Sequence, residues 1–122
     1  LIDCYVRGSP QPIKPIHLSR KRKDSMVYNN VILTVKSSSD IDNVRELLAE
    51  QARLSSEEPG CVRFEVYHSQ IERNQFFLVE QWDSEEDLVR HKEAKAFTEL
   101  YIPKVIPLVD RAPHPSDRVW PN

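Results

Sequence analysis

The stretch EPGCVRFEV at residues 58–66 decides the fold, because it joins a helix end, a tight turn and the start of a strand. Proline cannot continue a helix and glycine is common just past its last turn, so Pro59 and Gly60 should end one. From Cys61 onward apolar residues alternate with polar ones, and this period of two is typical of a strand. We therefore predict a strand over residues 61–69, with its even-numbered residues from Val62 on one face.

The flanking segments continue the alternation of strands and helices. Upstream, Val27 to Lys36 is rich in β-branched residues and predicts a strand. Apolar residues at helical spacing then predict a helix over about 41–56. Downstream, Gln75 to Trp82 predicts a strand that pairs with residues 61–69 as a hairpin.

The C-terminal part of the chain predicts a second helix and a last strand. Apolar positions recur across residues 84–109, and Pro103 and Pro107 are expected to kink or split that helix. A short strand is expected within Ser116 to Trp120. The resulting order, β-α-β-β-α-β, predicts an α+β fold of ferredoxin-like topology with an antiparallel sheet.

The predicted strands are apolar on both faces, which bears on assembly. Phe76 and Leu78 lie on one face of their strand, and Phe77 and Val79 lie on the other. Two helices cover only one face of a four-stranded sheet, so the other face has to be buried elsewhere. We predict a homodimer in which the uncovered sheets of two chains pack face to face.

One group of side chains has the chemistry of a site. Glu80 and Trp82 share a strand face, and His91 follows Leu88 by three residues, which puts it on the core-directed face of the second helix. An imidazole titrates near neutral pH and can act as a general base. Partial burial of Glu80 would raise its pKa and suit it to act with the histidine. We predict His91 and Glu80 as the catalytic pair and Tyr101 as a candidate pocket hydroxyl.

The same residues also have structural interpretations, which their spacing leaves open. His91 could be a buried helix residue satisfied by a nearby carbonyl, and Trp82 could be a core or interface residue. Glu80 could pair with Arg63 or Lys92. The other three histidines have no metal-ligand spacing, so no metal site is predicted.

Length and charge indicate one domain with an N-terminal segment of different composition. The chain has 122 residues, a usual size for a single domain. Residues 1–25 carry three prolines and six Lys or Arg residues, so we interpret them as an extension and residues 26–122 as the domain. The basic run at residues 20–23 predicts a solvated tail, with a nucleic-acid-binding arm as the alternative. Because the remainder is acidic and lacks an RNA-binding strand motif, no nucleic-acid partner is expected.

The apolar and cysteine content indicates the compartment. No run approaches the roughly 18 continuous apolar residues of a membrane span. The N-terminus also lacks the apolar core of a signal peptide. Cys4 and Cys61 lie far apart in the sequence, and reduced thiols are the default inside cells. We expect a soluble cytoplasmic protein that does not act at a membrane.

The ordered set of motifs resembles the antibiotic biosynthesis monooxygenase family. It consists of Glu-Pro-Gly-x-x-Arg-Phe-x-Val at residues 58–66, Glu-x-Trp at residues 80–82, and His91. The likeness extends over about residues 29–113, and Val-Ile-Pro-Leu at residues 105–108 resembles the family's closing Ala-Pro-Leu-Leu stretch. The resemblance implies a dimeric α+β barrel with a small apolar cavity between sheet and helices in each subunit.

The resemblance also implies an activity. The best-known members oxygenate quinols and polyphenols with no metal, flavin or haem, so no cofactor is expected. The substrate would be a small quinol-like or polyphenolic compound. In this hypothesis His91 is the general base, Glu80 is its partner or a substrate ligand, and Trp82, Phe64 and Phe97 form the pocket wall.

Two alternatives stay open beside this hypothesis. Similar members include an isomerase of the phosphorylated autoinducer-2 signal, and in that hypothesis Lys92, Lys95 or Arg63 would bind the phosphate. A non-catalytic ligand-binding or stress-response protein could use the same barrel.

The chain departs from the family where the chemistry is concerned. Many relatives carry a second histidine shortly after the first, in a Pro-His-Phe turn, whereas residues 95–97 here are Lys-Ala-Phe. A mechanism that needs two histidines is therefore not expected. The haem-degrading branch has a tryptophan in the helix and a histidine about three turns later, where this chain has His91 and Tyr101, so haem cleavage is not expected either.

Overall fold

A computed structural model describes residues 25–121 of the chain. Its elements, in chain order, are β1 (Val27–Val35), a 3-10 turn (Ser38–Asp40), α1 (Ile41–Ser55), β2 (Cys61–His68), β3 (Gln75–Trp82), α2 (Glu85–Glu93), a π-helical segment (Ala96–Val105), a second 3-10 turn (Ile106–Leu108) and β4 (Val109–Ser116). The predicted extension, with its basic run, lies outside the described residues apart from Ser25.

The four strands form one sheet in the order β2-β3-β1-β4, and every neighbouring pair is antiparallel. Val31 of β1 lies opposite Leu78 of β3 on one side and Pro113 of β4 on the other. The predicted ferredoxin-like α+β topology is confirmed. It places β1 and β3, the two strands that are apolar on both faces, at the centre of the sheet.

The helices cover one face of this sheet and enclose the core. Alternate residues of β1 and β3 are buried against them, as the period of two predicts. A large cluster holds Leu33, Leu48 and Phe76, and a smaller one holds Trp82 and Phe64. Full burial stabilises such side chains by about 1.5–3 kcal/mol each.

The turn between α1 and β2 depends on Gly60, whose φ of 83° lies in the left-handed region. Any other residue would be strained there, and its Cβ would overlap the carboxylate of Asp87 in the first turn of α2. The carbonyl of Gly60 also accepts a hydrogen bond of 2.8 Å from the Asp83 backbone N–H. The turn thus docks on the start of α2, which brings Glu58 close to that helix.

Strand β2 begins with a bulge that the alternating pattern does not predict. Cys61 pairs with Trp82 and Arg63 pairs with Gln81, so one residue of β2 has no partner. That residue is Val62, whose exposed fraction is 49%. The expectation that Val62 shares a face with Phe64 is wrong, because the bulge shifts the alternation and turns Cys61 inward instead.

The expected position of the last strand is also wrong. β4 runs over Val109–Ser116 and not within Ser116 to Trp120. This strand contains Pro113 and Pro115, although proline cannot donate a hydrogen bond to a neighbouring strand. β4 is an edge strand with one partner, so the missing donors can face away from the sheet.

The predicted helix over residues 84–109 is divided twice: after Glu93, away from any proline, and at Ile106, where a 3-10 turn with Pro107 near its start begins. α2 ends at Ala94, whose ψ of 163° is extended, and the chain resumes as the π-helical segment with Pro103 inside it. The wider winding is visible where the Ile106 N–H donates to the carbonyl of Tyr101, five residues back. The helix expected over about 41–56 is confirmed as α1.

The other face of the sheet is not covered by any element of residues 25–121. A shallow depression of about 450 Å³ lies on it, lined by Ile32, Phe77, Val79 and His114 among others. We call this surface the open face. Across residues 25–121, the structure contains no helix of the length and apolarity that a membrane crossing requires.

Candidate active site

His91 is the centre of the candidate site. Ser84 caps the start of α2, with its hydroxyl accepting the Asp87 N–H at 3.2 Å, and this fixes the rotation of the helix over the sheet. One face of α2 is therefore buried, and His91 on that face is 3% exposed. The histidine points inward, as predicted from its spacing to Leu88.

The hydrogen-bond partner of His91 is Glu58. Its Oε1 lies 2.7 Å from His91 Nδ1, and its side chain is only 16% exposed. The turn holds the carboxylate in place, because the Glu58 N–H donates to the Ser55 carbonyl at 3.0 Å and the Cys61 N–H donates to the Glu58 carbonyl at 3.1 Å. A carboxylate at Nδ1 keeps a proton there and leaves Nε2 as the basic nitrogen.

Three aromatic rings surround His91. The ring centroid of Trp82 lies 4.6 Å away and tilted by 33°, while those of Phe64 and Phe97 lie 5.7 Å and 5.5 Å away. All three were predicted as pocket residues, and the structure brings all three together around the histidine. They come from β3, β2 and the π-helical segment, so the surround depends on the whole fold.

Glu80 is buried beside these aromatic rings, and its hydrogen bonds go to residues other than His91. Its Oε1 accepts the indole N–H of Trp82 at 3.0 Å, and a second hydrogen bond joins it to Asn29 of β1. Burial raises the pKa of Glu80, and these two hydrogen bonds together with the nearby His91 and Arg111 oppose that rise. Glu80 therefore orients the Trp82 ring that lies against His91.

Tyr101 closes the group at the side of β4. It is 2% exposed, its hydroxyl accepts a hydrogen bond of 3.0 Å from Arg111 Nε, and its ring centroid lies 5.3 Å from that of Phe97. Burial raises the pKa of Tyr101, and Arg111 partly offsets this. Phe97 and Tyr101 lie four residues apart, close to one turn of a π-helix, so both face the sheet.

The structure does not bring the predicted cationic residues into this group. Arg63 is exposed and forms an ion pair of 2.9 Å with Glu65, and Lys92 and Lys95 are exposed on the helical side. The pairing of Glu80 with Arg63 or Lys92, which the spacing left open, is not the arrangement found. Glu80 has Trp82 and Asn29 as hydrogen-bond partners instead.

Sequence reasoning missed three members of the group. Glu58 belongs to the stretch at residues 58–66, but its contact with His91 depends on a turn, and a turn has no periodic sequence pattern. Asn29 carried a signal, since it is a polar residue on the same strand face as Val31 and Leu33. Arg111 carried none, because its strand was expected elsewhere.

Within residues 25–121, no three His, Cys, Asp or Glu side chains are arranged to hold a metal ion.

Comparison with known proteins identifies a family and a shared fold. The model of the antibiotic biosynthesis monooxygenase family matches residues 26–101 of the chain. A comparison with curated proteins gives no significant match.

Among solved structures, a conserved protein from Bacteroides thetaiotaomicron described as a possible oxidoreductase is similar with a TM-score of 0.71 and 24% identity, over 75% of this chain and 96% of that one. A protein from Nitrosomonas europaea named as a candidate antibiotic biosynthesis monooxygenase is similar with a TM-score of 0.69 and 20% identity, over 80% and 93%. SnoaB, a cofactor-independent oxygenase from Streptomyces nogalater, is similar with a TM-score of 0.68 and 15% identity, over 78% and 94%. At these identities the likeness shows the fold.

Proposed function

Because the chain belongs to the antibiotic biosynthesis monooxygenase family, we propose that it is a cofactor-independent monooxygenase that oxidises a small quinol-like or polyphenolic compound with dioxygen. The observation that carries the proposal is the hydrogen bond of 2.7 Å between His91 Nδ1 and Glu58 within a surround of three aromatic rings. A base beside several aromatic rings suits an aromatic substrate with an acidic hydroxyl.

The proposed chemistry begins with proton transfer. Nε2 of His91 accepts a proton from a substrate hydroxyl, and Glu58 stabilises the imidazolium that forms. The resulting anion is electron-rich and transfers electrons to dioxygen. One oxygen atom forms a bond to a ring carbon and the other leaves as water. A quinol becomes a hydroxyquinone in this way and supplies all the electrons itself.

The aromatic residues have two roles in this proposal. Trp82, Phe64 and Phe97 exclude water from the anion, which would otherwise be reprotonated. Their centroids lie at contact distance from His91, so a substrate ring enters only when one of them moves. We assign that movement to Phe97, because it lies on the π-helical segment just after the break at Ala94, and π-helical turns are frequent at functional sites.

Assembly and location form part of the same proposal. The open face presents Ile32, Phe77 and Val79 without cover from the described residues, which supports a homodimer formed by sheet-on-sheet packing. We further propose residues 26–122 as the functional domain, residues 1–25 as an extension, and a cytoplasmic location without nucleic-acid partners.

The alternative isomerase of a phosphorylated dione receives less support. It depended on Arg63, Lys92 or Lys95 as phosphate ligands, and all three side chains are exposed, with Arg63 bound to Glu65. A non-catalytic ligand-binding protein would keep the aromatic surround and lack oxygen consumption, so the experiment that tests the proposal also separates that alternative.

The test is oxygen consumption with a panel of quinols, comparing the protein with His91→Ala. We expect uptake that falls by about 100-fold or more in the variant, the usual range for loss of a general base. A matched control is His68→Ala, because His68 is a histidine at the far end of the sheet from the candidate site. It lies opposite Phe76, which is six residues and about 20 Å from Trp82 along β3. No uptake on any quinol, or equal uptake in both variants, would contradict the proposal.

A further inference from the structure

Two buried polar atoms are left without hydrogen-bond partners among the described residues. They are Oε1 of Gln51 and Oγ of Ser55, whose residues are 1% and 0% exposed. A buried polar group without a partner destabilises the folded state, so most such groups in proteins are paired. Two of them one helical turn apart on the same face of α1 require an explanation.

The neighbours of this pair on α1 pack in the two clusters that contain the candidate site residues. Leu48, three residues before Gln51, belongs to the large cluster that contains Tyr101, and Ala52 packs against the smaller cluster that contains Trp82. Gln51 lies between these two neighbours on the buried face of α1. The carbonyl of Ser55 accepts the N–H of Glu58, so Ser55 is tied to the residue that binds His91.

The polar groups that surround His91 already have partners. His91 Nδ1 is joined to Glu58, the Trp82 indole to Glu80, and the Tyr101 hydroxyl to Arg111. Oε1 of Gln51 and Oγ of Ser55 can still form hydrogen bonds with a bound ligand. An amide oxygen accepts from a hydroxyl, and a serine hydroxyl can both accept and donate.

We propose that Gln51 and Ser55 bind a hydroxyl group of the ligand in this site and thereby select hydroxylated rings over rings of the same shape without hydroxyls. This inference rests on the proposed function, since it concerns the substrate of the same site. Both atoms are closed off from solvent, so the ligand reaches them only when the side chains between α1 and the π-helical segment move apart. The pair lowers the stability of the ligand-free protein and is satisfied when the ligand enters.

The experiment compares binding of hydroquinone, without oxygen, with binding of p-xylene, which has methyl groups in place of both hydroxyls. Gln51→Met keeps the length of the side chain and removes the amide, and Ser55→Ala removes the hydroxyl. We expect each variant to weaken hydroquinone binding by about 10-fold, the effect of one lost hydrogen bond, and to leave p-xylene binding unchanged. We also expect the melting temperature of the ligand-free Gln51→Met protein to rise.

The control is Glu46→Met, at an exposed position of α1, which reports the effect of methionine on helix propensity alone. A lower melting temperature for Gln51→Met relative to this control would overturn the inference, because it would mean that the amide is already paired in the folded protein. Equal losses for both probes, or no hydroquinone binding to the unaltered protein, would overturn it as well.

The outcome is separable from that of the proposed function. Hydroxyl-dependent binding without oxygen uptake would support the selection by Gln51 and Ser55 and contradict the monooxygenase. Oxygen uptake that is unchanged in Gln51→Met and Ser55→Ala, with unchanged preference for hydroxylated rings, would overturn the selection and leave the monooxygenase supported.

Discussion

His91 acquires its chemical character from a residue that is distant in sequence. Glu58 is 33 positions away, yet its carboxylate fixes the proton of Nδ1 through a hydrogen bond of 2.7 Å. Glu80 accepts the indole N–H of Trp82 and is hydrogen-bonded to Asn29. The two carboxylates thus have different roles, because Glu58 holds the His91 ring and Glu80 holds the Trp82 ring beside it.

Glu58→Gln tests the first role. The amide keeps a hydrogen bond to His91 but cannot stabilise the imidazolium, so we expect kcat for a quinol to fall by about 10- to 100-fold. The decrease should appear in kcat more than in KM, since the aromatic surround is unchanged. Glu57→Gln, an exposed neighbour in the same turn, is the control. A variant as active as the control would exclude Glu58 from the mechanism.

Glu80 provides a prediction about pH. Because burial raises its pKa, the folded protein takes up the proton of Glu80 at higher pH than the unfolded chain, whose value is near 4.5. Stability from this group is therefore full below that value and is lost as pH rises through the raised pKa. We expect Glu80→Gln to gain unfolding free energy relative to the unaltered protein as pH rises from 4.5 toward 7.

Glu65 is the matched control for that measurement. Its pKa is lowered by hydrogen bonds from Arg63 and Tyr67, so its contribution is present above 4.5 and is lost as pH falls. Urea denaturation should show Glu80→Gln gaining stability relative to the unaltered protein as pH rises above 4.5, and Glu65→Gln gaining it only as pH falls below 4.5. No change for Glu80→Gln above 4.5 would mean that burial does not dominate at Glu80.

At the scale of elements, the turn after α1 determines where the carboxylate of Glu58 lies. Gly60 takes a φ of 83° and approaches Asp87 so closely that no side chain fits. We expect Gly60→Ala to lower the unfolding free energy by about 1–3 kcal/mol, from backbone strain and from displacement of α2. Because Glu58 moves with the turn, quinol oxidation should fall as well.

Denaturation midpoints and oxygen uptake measure these two effects. Glu57→Ala, an exposed residue of the same turn, should change neither by a comparable amount. Unaltered stability in Gly60→Ala would show that the turn relaxes without cost and that the contact with Asp87 is not a constraint.

Periodicity explains which parts of the fold the sequence could predict. The alternation in β1 and β3 and the helical spacing of Val44 and Leu48 in α1 follow directly from burial on one face, and so does the inward direction of His91. Trp82, Phe64 and Phe97 were brought to His91 by the predicted topology. These features follow from the periodic spacing of apolar residues, which can be read from one sequence.

Features without a repeat could not be predicted in this way. The bulge that exposes Val62 adds one residue to β2 and has no sequence signature. The prolines of β4 disfavour a strand, but β4 is an edge strand in which the missing N–H donors can face away from the sheet. The partnership of Glu58 with His91 depends on a turn conformation. Arg111 became a neighbour of Tyr101 only through the register of β4 with β1.

At the scale of the whole molecule, the open face is the surface through which we propose that two chains assemble. One face of the sheet is buried beneath the helices, while Phe77 and Val79 on the other face have no cover from residues 25–121. We expect Val79→Lys to convert a dimer into a monomer at micromolar concentration, since a charge would be buried between two sheets. Sedimentation velocity measures the change.

Val89→Lys is the control for this prediction, because Val89 is a 50% exposed residue on the helical side of the sheet. It should sediment like the unaltered protein. A monomer in the unaltered protein, or a dimer that survives Val79→Lys, would contradict packing through the open face.

The measurement that tests the central claim most directly is turnover of a quinol under isotopically labelled dioxygen, followed by mass spectrometry of the product. A monooxygenase that uses His91 as its base predicts a hydroxyquinone with one labelled oxygen atom, formed by the unaltered protein and by His68→Ala but not by His91→Ala. Product without label, or the same labelled product at the same rate from His91→Ala, would contradict the account.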